Sequence, residues 1–148
     1  MVDTIDCVVM GTYAGKGKRV GFGVGAFLVG ILSSLSDLSN LTDLKYLTIS
    51  KIGTGLTDEQ WRELRVKSKE QKAKSKPKEY DVPKELTPDI WLKPELVAEI
   101  QADNITNSPL HTAGYALRFP RLVRYRSDKR PEQATTIEEI EKLYEMQK

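Results

Sequence analysis

A mainly β domain, a small antiparallel barrel carrying two helices, is the fold class the sequence predicts, and three observations predict it. Five short runs are rich in β-branched residues or alternate apolar with polar types. Only two stretches combine a capping-box start with helical spacing, and turns rich in glycine, proline or serine separate the runs.

Residues 4–13, TIDCVVMGTY, read as the first strand, with Ile5, Cys7 and Val9 on one face by alternation. The loop AGKGKRVGFGVG mixes glycines with Lys16, Lys18 and Arg19, then gives way to a second strand, AFLVGIL. A Ser/Asp/Leu connection at Ser33–Asp43 leads to KYLTISKIG, a third strand ending at Gly53. A helix begins near Thr57, because Thr57 and Gln60 fit a capping box and Leu56 with Trp61 fits a hydrophobic staple. Its apolar stripe is short. After Leu64 and Val66 comes KSKEQKAKSKPK, six lysines against one glutamate. That segment reads either as a solvated helix end running into a linker that Pro77 and Pro83 stop, or as a direct phosphate contact.

Residues 95–105, ELVAEIQADNI, put Leu96, Ala98, Ile100 and Ala102 on one face at strand spacing. NSPLHTAG is a turn or loop, and ALRFPRLVRYRSDK supplies the last strand. Thr136 with Glu139 then caps a final helix bearing Ile137, Ile140, Leu143 and Tyr144. Five strands with one inserted and one C-terminal helix describe a partly open Greek-key barrel, for which the OB-fold, a nucleic-acid platform, is the leading candidate.

Composition narrows the chemistry. One cysteine and one histidine in 148 residues exclude an internal disulfide framework and a Cys/His zinc site, and point to an intracellular protein. The longest apolar run, Phe22 to Leu32, is far short of the roughly 20 residues that span a bilayer. Asp3 and Asp6 stand where a signal peptide would be basic and then apolar, so neither membrane nor secretion is expected. A net charge of +2 does not by itself argue for nucleic acid; the distribution must carry that case.

Gly21, Gly23 and Ala26 match a dinucleotide fingerprint, but a basic loop precedes them and a β-rich run follows, where a strand and a helix N-terminus are needed. The Walker spacing also fails, since Thr12 replaces its first glycine and Arg19 follows Lys18. His111 reads as a loop or partly buried histidine, Cys7 as inert packing, and no carboxylate pair stands out as an acid/base couple.

The last strand is different. Alternation puts Leu122, Arg124 and Arg126 on one face and Arg121, Val123 and Tyr125 on the other, so neither face is simply core. Arginine is costly to bury unpaired and its planar fork suits phosphate. Four arginines with Lys129 beyond them ask for an anionic partner, unless Glu99, Asp103 and Asp128 neutralise them within the protein.

With these residues assembled, the chain resembles the C-terminal, OB-fold domain of ATP-dependent DNA ligases from about Asp3 to Tyr144. Four segments carry the resemblance in order: DTIDCVVMGTYAGKGKR with GAFLVGIL, then KIGTGLTDEQW, then IWLKPELVAEIQADNITNSP, then ALRFPRLVRYRSDKRPEQATT. In such enzymes a preceding adenylation domain carries a K-x-D-G lysine that attacks the α-phosphate of ATP. The AMP then passes to the 5′-phosphate of a nick, and the 3′-hydroxyl displaces it. No K-x-D-G occurs here, so the resemblance implies that residues 1–148 are one OB-fold domain, the C-terminal piece of a longer ligase, inactive alone.

By the same resemblance RYRSDK looks like the family's last nucleotidyltransferase motif, which closes over ATP, with Arg124, Arg126, Asp128 and Lys129 at the matching positions. The implied cofactors are ATP and Mg²⁺. The implied partners are nicked double-stranded DNA and the adenylation domain of the same chain, in a monomer working in the cytoplasm at the nucleoid, or in a nucleus. Against DNA the domain is expected to swivel, bringing Arg118 and Phe119 near the nick and Lys16, Lys18 and Arg19 onto backbone phosphates, with Arg121 also in contact with DNA. The lysine run after Trp61 is more basic than that family's helix end. The competing reading is a stand-alone OB module holding single strands on Tyr13, Phe22, Tyr46 and Tyr125. An RNA ligase or capping-enzyme domain is a third reading, disfavoured by the order of the segments.

Overall fold

The computed structural model describes residues 3–15, 23–33 and 44–147. Strands β1 (Ile5–Tyr13), β2 (Ala26–Leu32) and β3 (Tyr46–Ile52) form an antiparallel meander, as their β-branched runs predict. Helix α1 (Asp58–Glu70) follows, then the short strands β4 (Lys72–Ala73), β5 (Tyr80–Asp81) and β6 (Ile90–Leu92). Strand β7 (Val97–Gln101), the hairpin β8 (Asn104–Asn107) and β9 (Tyr115–Arg118), β10 (Arg121–Arg126) and helix α2 (Ile137–Met146) complete the order. The main sheet runs β10-β7-β1-β2-β3-β5, with β6 joining β1 to β4, and it curls into a half-barrel; β8 and β9 pair separately.

Register shifts in the β1–β2, β2–β3 and β7–β10 pairs bend the sheet, which is apolar on both sides. On β1 and β2, Ile5, Cys7, Val9, Phe27, Val29 and Ile31 face the larger core, into which α1 sends Trp61 and Leu64 and α2 sends Ile140. The alternate residues Val8, Met10, Leu28 and Leu32 face a smaller core closed by Tyr46 and Tyr80. Cys7 is wholly buried and burial pushes its thiol pKa far up, so it packs as a small apolar residue. Both helices start as their sequences predict: Thr57 accepts from the Gln60 amide and Thr136 from the Glu139 amide, each in a full capping box.

Three expectations need correction. The stretch after α1 is no free linker: β4 and β6 pair, β5 adds in parallel to β3, and Tyr80 is buried with its hydroxyl donating to Leu92 O at 2.7 Å. A short two-residue strand carries too little pattern to read. The run at 95–105 breaks at Ala102–Asp103 into β7 and β8, although Leu96, Ala98, Ile100 and Ala102 are all buried as alternation requires. The predicted last strand is two strands, β9 and β10, which turn at Phe119–Pro120 because proline cannot continue a ladder.

Candidate phosphate-binding site

Strand β10 sits at the edge of the sheet beside β7, and its register shifts between Leu122 and Arg124. The resulting bulge at Val123 changes which side chains share a face. Leu122 pairs with Ile100 and Tyr125 with Ala98, so both turn toward the larger core, three residues apart instead of two. Arg124 pairs with Glu99 and Arg126 with Val97, and both arginines are freed for the outer side. Simple alternation, which mixed arginine with core residues, is thus overturned by one inserted residue. Helix α1 locks the arrangement: the Tyr125 hydroxyl donates to Gln60 O at 3.0 Å, and burial, helped by Glu63, raises the tyrosine pKa.

On that outer side the cations of the motif meet carboxylates. Arg124 Nε donates to Glu99 at 2.7 Å, and Arg126 binds Asp128 through two bonds of 2.9 and 2.7 Å. The Nη1 edge of Arg126 lies 3.6 Å from Asp6 and 3.8 Å from Glu99, and Lys129 Nζ lies 2.6 Å from Asp6. Three cations therefore face three carboxylates. The bond from Arg124, then that from Thr4, lowers the pKa of Glu99, and the Arg126 fork holds the Asp128 carboxyl well below its usual range. Of the two readings left open by sequence, neutralisation within the protein is realised by Glu99 and Asp128, and Asp103 does the same for Arg121 at 3.0 Å.

Asp6 joins the motif only through the fold. Its signal is its place between Ile5 and Cys7 on a strand otherwise buried, in register with Glu99 on β7. A cleft of about 660 Å³ opens beside the cluster, between Arg126, Ser127 and Lys129 on one wall and Glu63, Lys67 and Glu70 of α1 on the other. Lys67 is thus the member of the lysine run that reaches this cleft; farther along, Lys76 bonds Tyr80 O and Lys45 bonds Lys78 O.

At the other end of β10, about 17 Å away at strand rise, the β9–β10 turn projects Phe119. Its φ is 52°, in the left-handed region that an aromatic residue rarely adopts, and the residue is 63 % exposed. The Arg118 guanidinium lies 5.2 Å from the ring centroid, and Arg121 donates to Phe119 O at 3.0 Å. The turn offers an apolar wedge flanked by cations. Lys16, Lys18 and Arg19 lie outside the described residues, as do Phe22 and most of the Ser33–Asp43 connection.

Among the described residues, the three tyrosines of the single-strand reading are not presented for stacking. Tyr46 is buried in the smaller core, Tyr125 is tied to α1, and Tyr13 is half-buried under Lys51 with its pKa pushed up to about 12 by burial and Asp89. His111 is half-buried in the loop before β9, where burial lowers its pKa. Among the described residues no three His, Cys, Asp or Glu side chains are grouped to hold a metal ion, and Asp6, Glu99 and Asp128 are engaged by cations. The motif therefore does not fit a resident Mg²⁺.

Residues 21–129 match the family model described as the ATP dependent DNA ligase C terminal region. The chain belongs to that family. Relatives include a probable DNA ligase of Dictyoglomus turgidum, 44 % identical over all of this chain and 25 % of its own length. The DNA ligase of Pyrobaculum calidifontis is 39 % identical over the same shares, and that of Saccharolobus solfataricus is 40 % identical over 99 % of this chain and 24 % of its own. The chain spans about a quarter of the length of these ligases. Among solved structures, the ligase domain of M. tuberculosis LigD aligns with a TM-score of 0.64 and 25 % identity, covering 90 % of this chain and 38 % of that one. Mycobacterial DNA ligase D complexed with ATP and MES aligns with a TM-score of 0.62, also at 25 % identity, over 90 % and 37 %. The ligase family and its OB-fold thus agree with the curled sheet, and no described helix is long and apolar enough to cross a membrane.

Proposed function

We propose that this chain is the mobile lid and DNA clamp of an ATP-dependent DNA ligase, closing on ATP during enzyme adenylation and then gripping nicked duplex while the strand is sealed. The observation that carries the reading is the convergence of Arg124, Arg126 and Lys129 at one end of β10 in a member of the ligase family. When a lysine of the adenylation domain attacks the α-phosphate, negative charge grows on the departing pyrophosphate. Cations along that line stabilise it, and withdrawing them afterwards exposes the bound AMP to DNA. Magnesium would arrive with the nucleotide as substrate.

For the second task the other end of β10 is suited. Phe119, with Arg118 and Arg121, is the chemistry of a wedge entering a minor groove beside phosphates, and Lys16, Lys18 and Arg19 would add backbone contacts. The partners are then nicked double-stranded DNA and an adenylation domain in the same polypeptide, in a monomer acting inside the cell on its nucleoid or in its nucleus.

The test is a split assay on the full-length ligase. Arg124→Ala and Lys129→Ala should abolish self-adenylation while pre-adenylated enzyme still seals nicks at a near-normal rate. An equal fall in both activities would sink the lid assignment.

A further inference from the structure

Asp6 has no part in the roles above, yet it lies at the centre of the cluster. It sits on β1 with its side chain 16 % exposed, and its backbone is clamped on both sides: its N–H donates to Thr135 Oγ1 at 2.9 Å, and its carbonyl accepts from Thr135 N at 2.8 Å. It stands opposite Glu99 on β7. Facing carboxylates on neighbouring strands repel, so the pair makes a preset anionic cradle that requires cations. Its Oδ1 is buried and, among the described residues, accepts no hydrogen bond, with Arg126 Nη1 at 3.6 Å as its ion partner. Its Oδ2 takes Lys129.

Arg126 is held by two edges of different character. The Nη1 edge faces the cradle of Asp6 and Glu99, both mostly buried, whereas the Nε and Nη2 edge is forked onto Asp128, whose side chain is 65 % exposed. A phosphate has the same oxygen fork as a carboxylate and carries more charge. Lys129 spends one N–H on Asp6 and keeps two donors.

We infer that Asp6 is a positioning residue for nucleotide phosphate. It anchors Lys129 by one donor and draws the Nη1 edge of Arg126 inward, so that the outer edge, capped by Asp128, is the one that exchanges a carboxylate for a phosphate oxygen. The inference rests on the reading of the motif as a lid over ATP. It extends that reading to a residue more than a hundred positions from the motif, on the first strand.

Two measurements test it. In the full-length ligase, Asp6→Asn should raise KM for ATP in self-adenylation by about tenfold, the scale of one lost charge-assisted hydrogen bond. Sealing by pre-adenylated enzyme should stay within about twofold, and Asp6→Glu should recover part of the KM. In this 148-residue chain, side-chain ¹⁵N signals followed during addition of inorganic tripolyphosphate should show Arg126 Nε moving while Lys129 stays paired with Asp6. An unmoved Arg126 Nε when Lys129 shifts, or an unchanged KM in Asp6→Asn, overturns the assignment; should that variant not fold, the titration of the wild type decides alone. If Arg124→Ala and Lys129→Ala leave adenylation intact, the lid reading itself has failed. If those two abolish it and Asp6→Asn is silent, the positioning role alone falls.

Discussion

Lys129 reaches 123 positions back along the chain to donate to Asp6 Oδ2 at 2.6 Å, tying the end of the charged motif to the first strand of the sheet. The motif is therefore a product of tertiary structure, and its charges are balanced before any ligand arrives.

That balance makes stability depend on acid. Hydrogen bonds from Arg124 and Thr4 lower the Glu99 pKa from its ordinary 4.5, so the unfolded chain binds this proton more readily. The stabilising contribution is fully present above about pH 4.5 and is lost as pH falls through the folded value. Urea midpoints taken from about pH 7 down to about pH 3 should fall over that lower window, and Glu99→Gln should flatten the fall.

Gly55 lies in the turn before α1 with φ +85°, and a Cβ there would sit 2.7 Å from Cβ of Arg121. Left-handed backbone costs a non-glycine residue roughly 1–2 kcal/mol, and relief of the clash must move the start of β10. Gly55→Ala should destabilise the chain by about 2 kcal/mol or more in a denaturant titration, with amide shifts concentrated at Arg121 and Leu122.

Thr57 caps α1 at an exposed position, and the neighbouring Gln60 bonds both the cap and Val123 O of the bulge. Thr57→Ala should cost about 1 kcal/mol. Each of the two side chains accepts from the other residue's backbone N–H, so a double-mutant cycle with Gln60→Ala should give a coupling energy above about 0.5 kcal/mol; strict additivity would show that the two bonds form independently.

Phe119 is held out from the turn at a conformational cost, which suits a wedge and not a packing residue. Phe119→Ala should weaken binding of nicked duplex by about tenfold with the salt dependence unchanged. Arg118→Ala should instead lower the log–log salt slope by about one. Anisotropy titrations across a salt series separate the two, and a Phe119→Ala chain that binds as the wild type does would remove the wedge.

Much of this was legible in sequence because the signals were local. The cap residues Thr57 and Thr136, and the β-branched runs of β1 to β3, each contain their own instructions. Strands β4 and β5 were not legible, since two residues carry no period and their pairing depends on partners far away in the chain. The acidic partners of the motif fell between: Glu99 and Asp128 are close enough to suspect, whereas Asp6 becomes a neighbour only through the β1–β7 register.

The bulge at Val123 makes strand length, as well as composition, carry meaning. Pairing that one uncharged valine into the ladder, instead of bulging it out, would restore strict alternation along the chain and drive Arg124 and Arg126 out of step with Glu99, while leaving every ionisable group in place. When ligase sequences are aligned through this strand, a gap placed one residue early or late therefore swaps the electrical sidedness of the edge, and a count of matching arginines would not reveal the error.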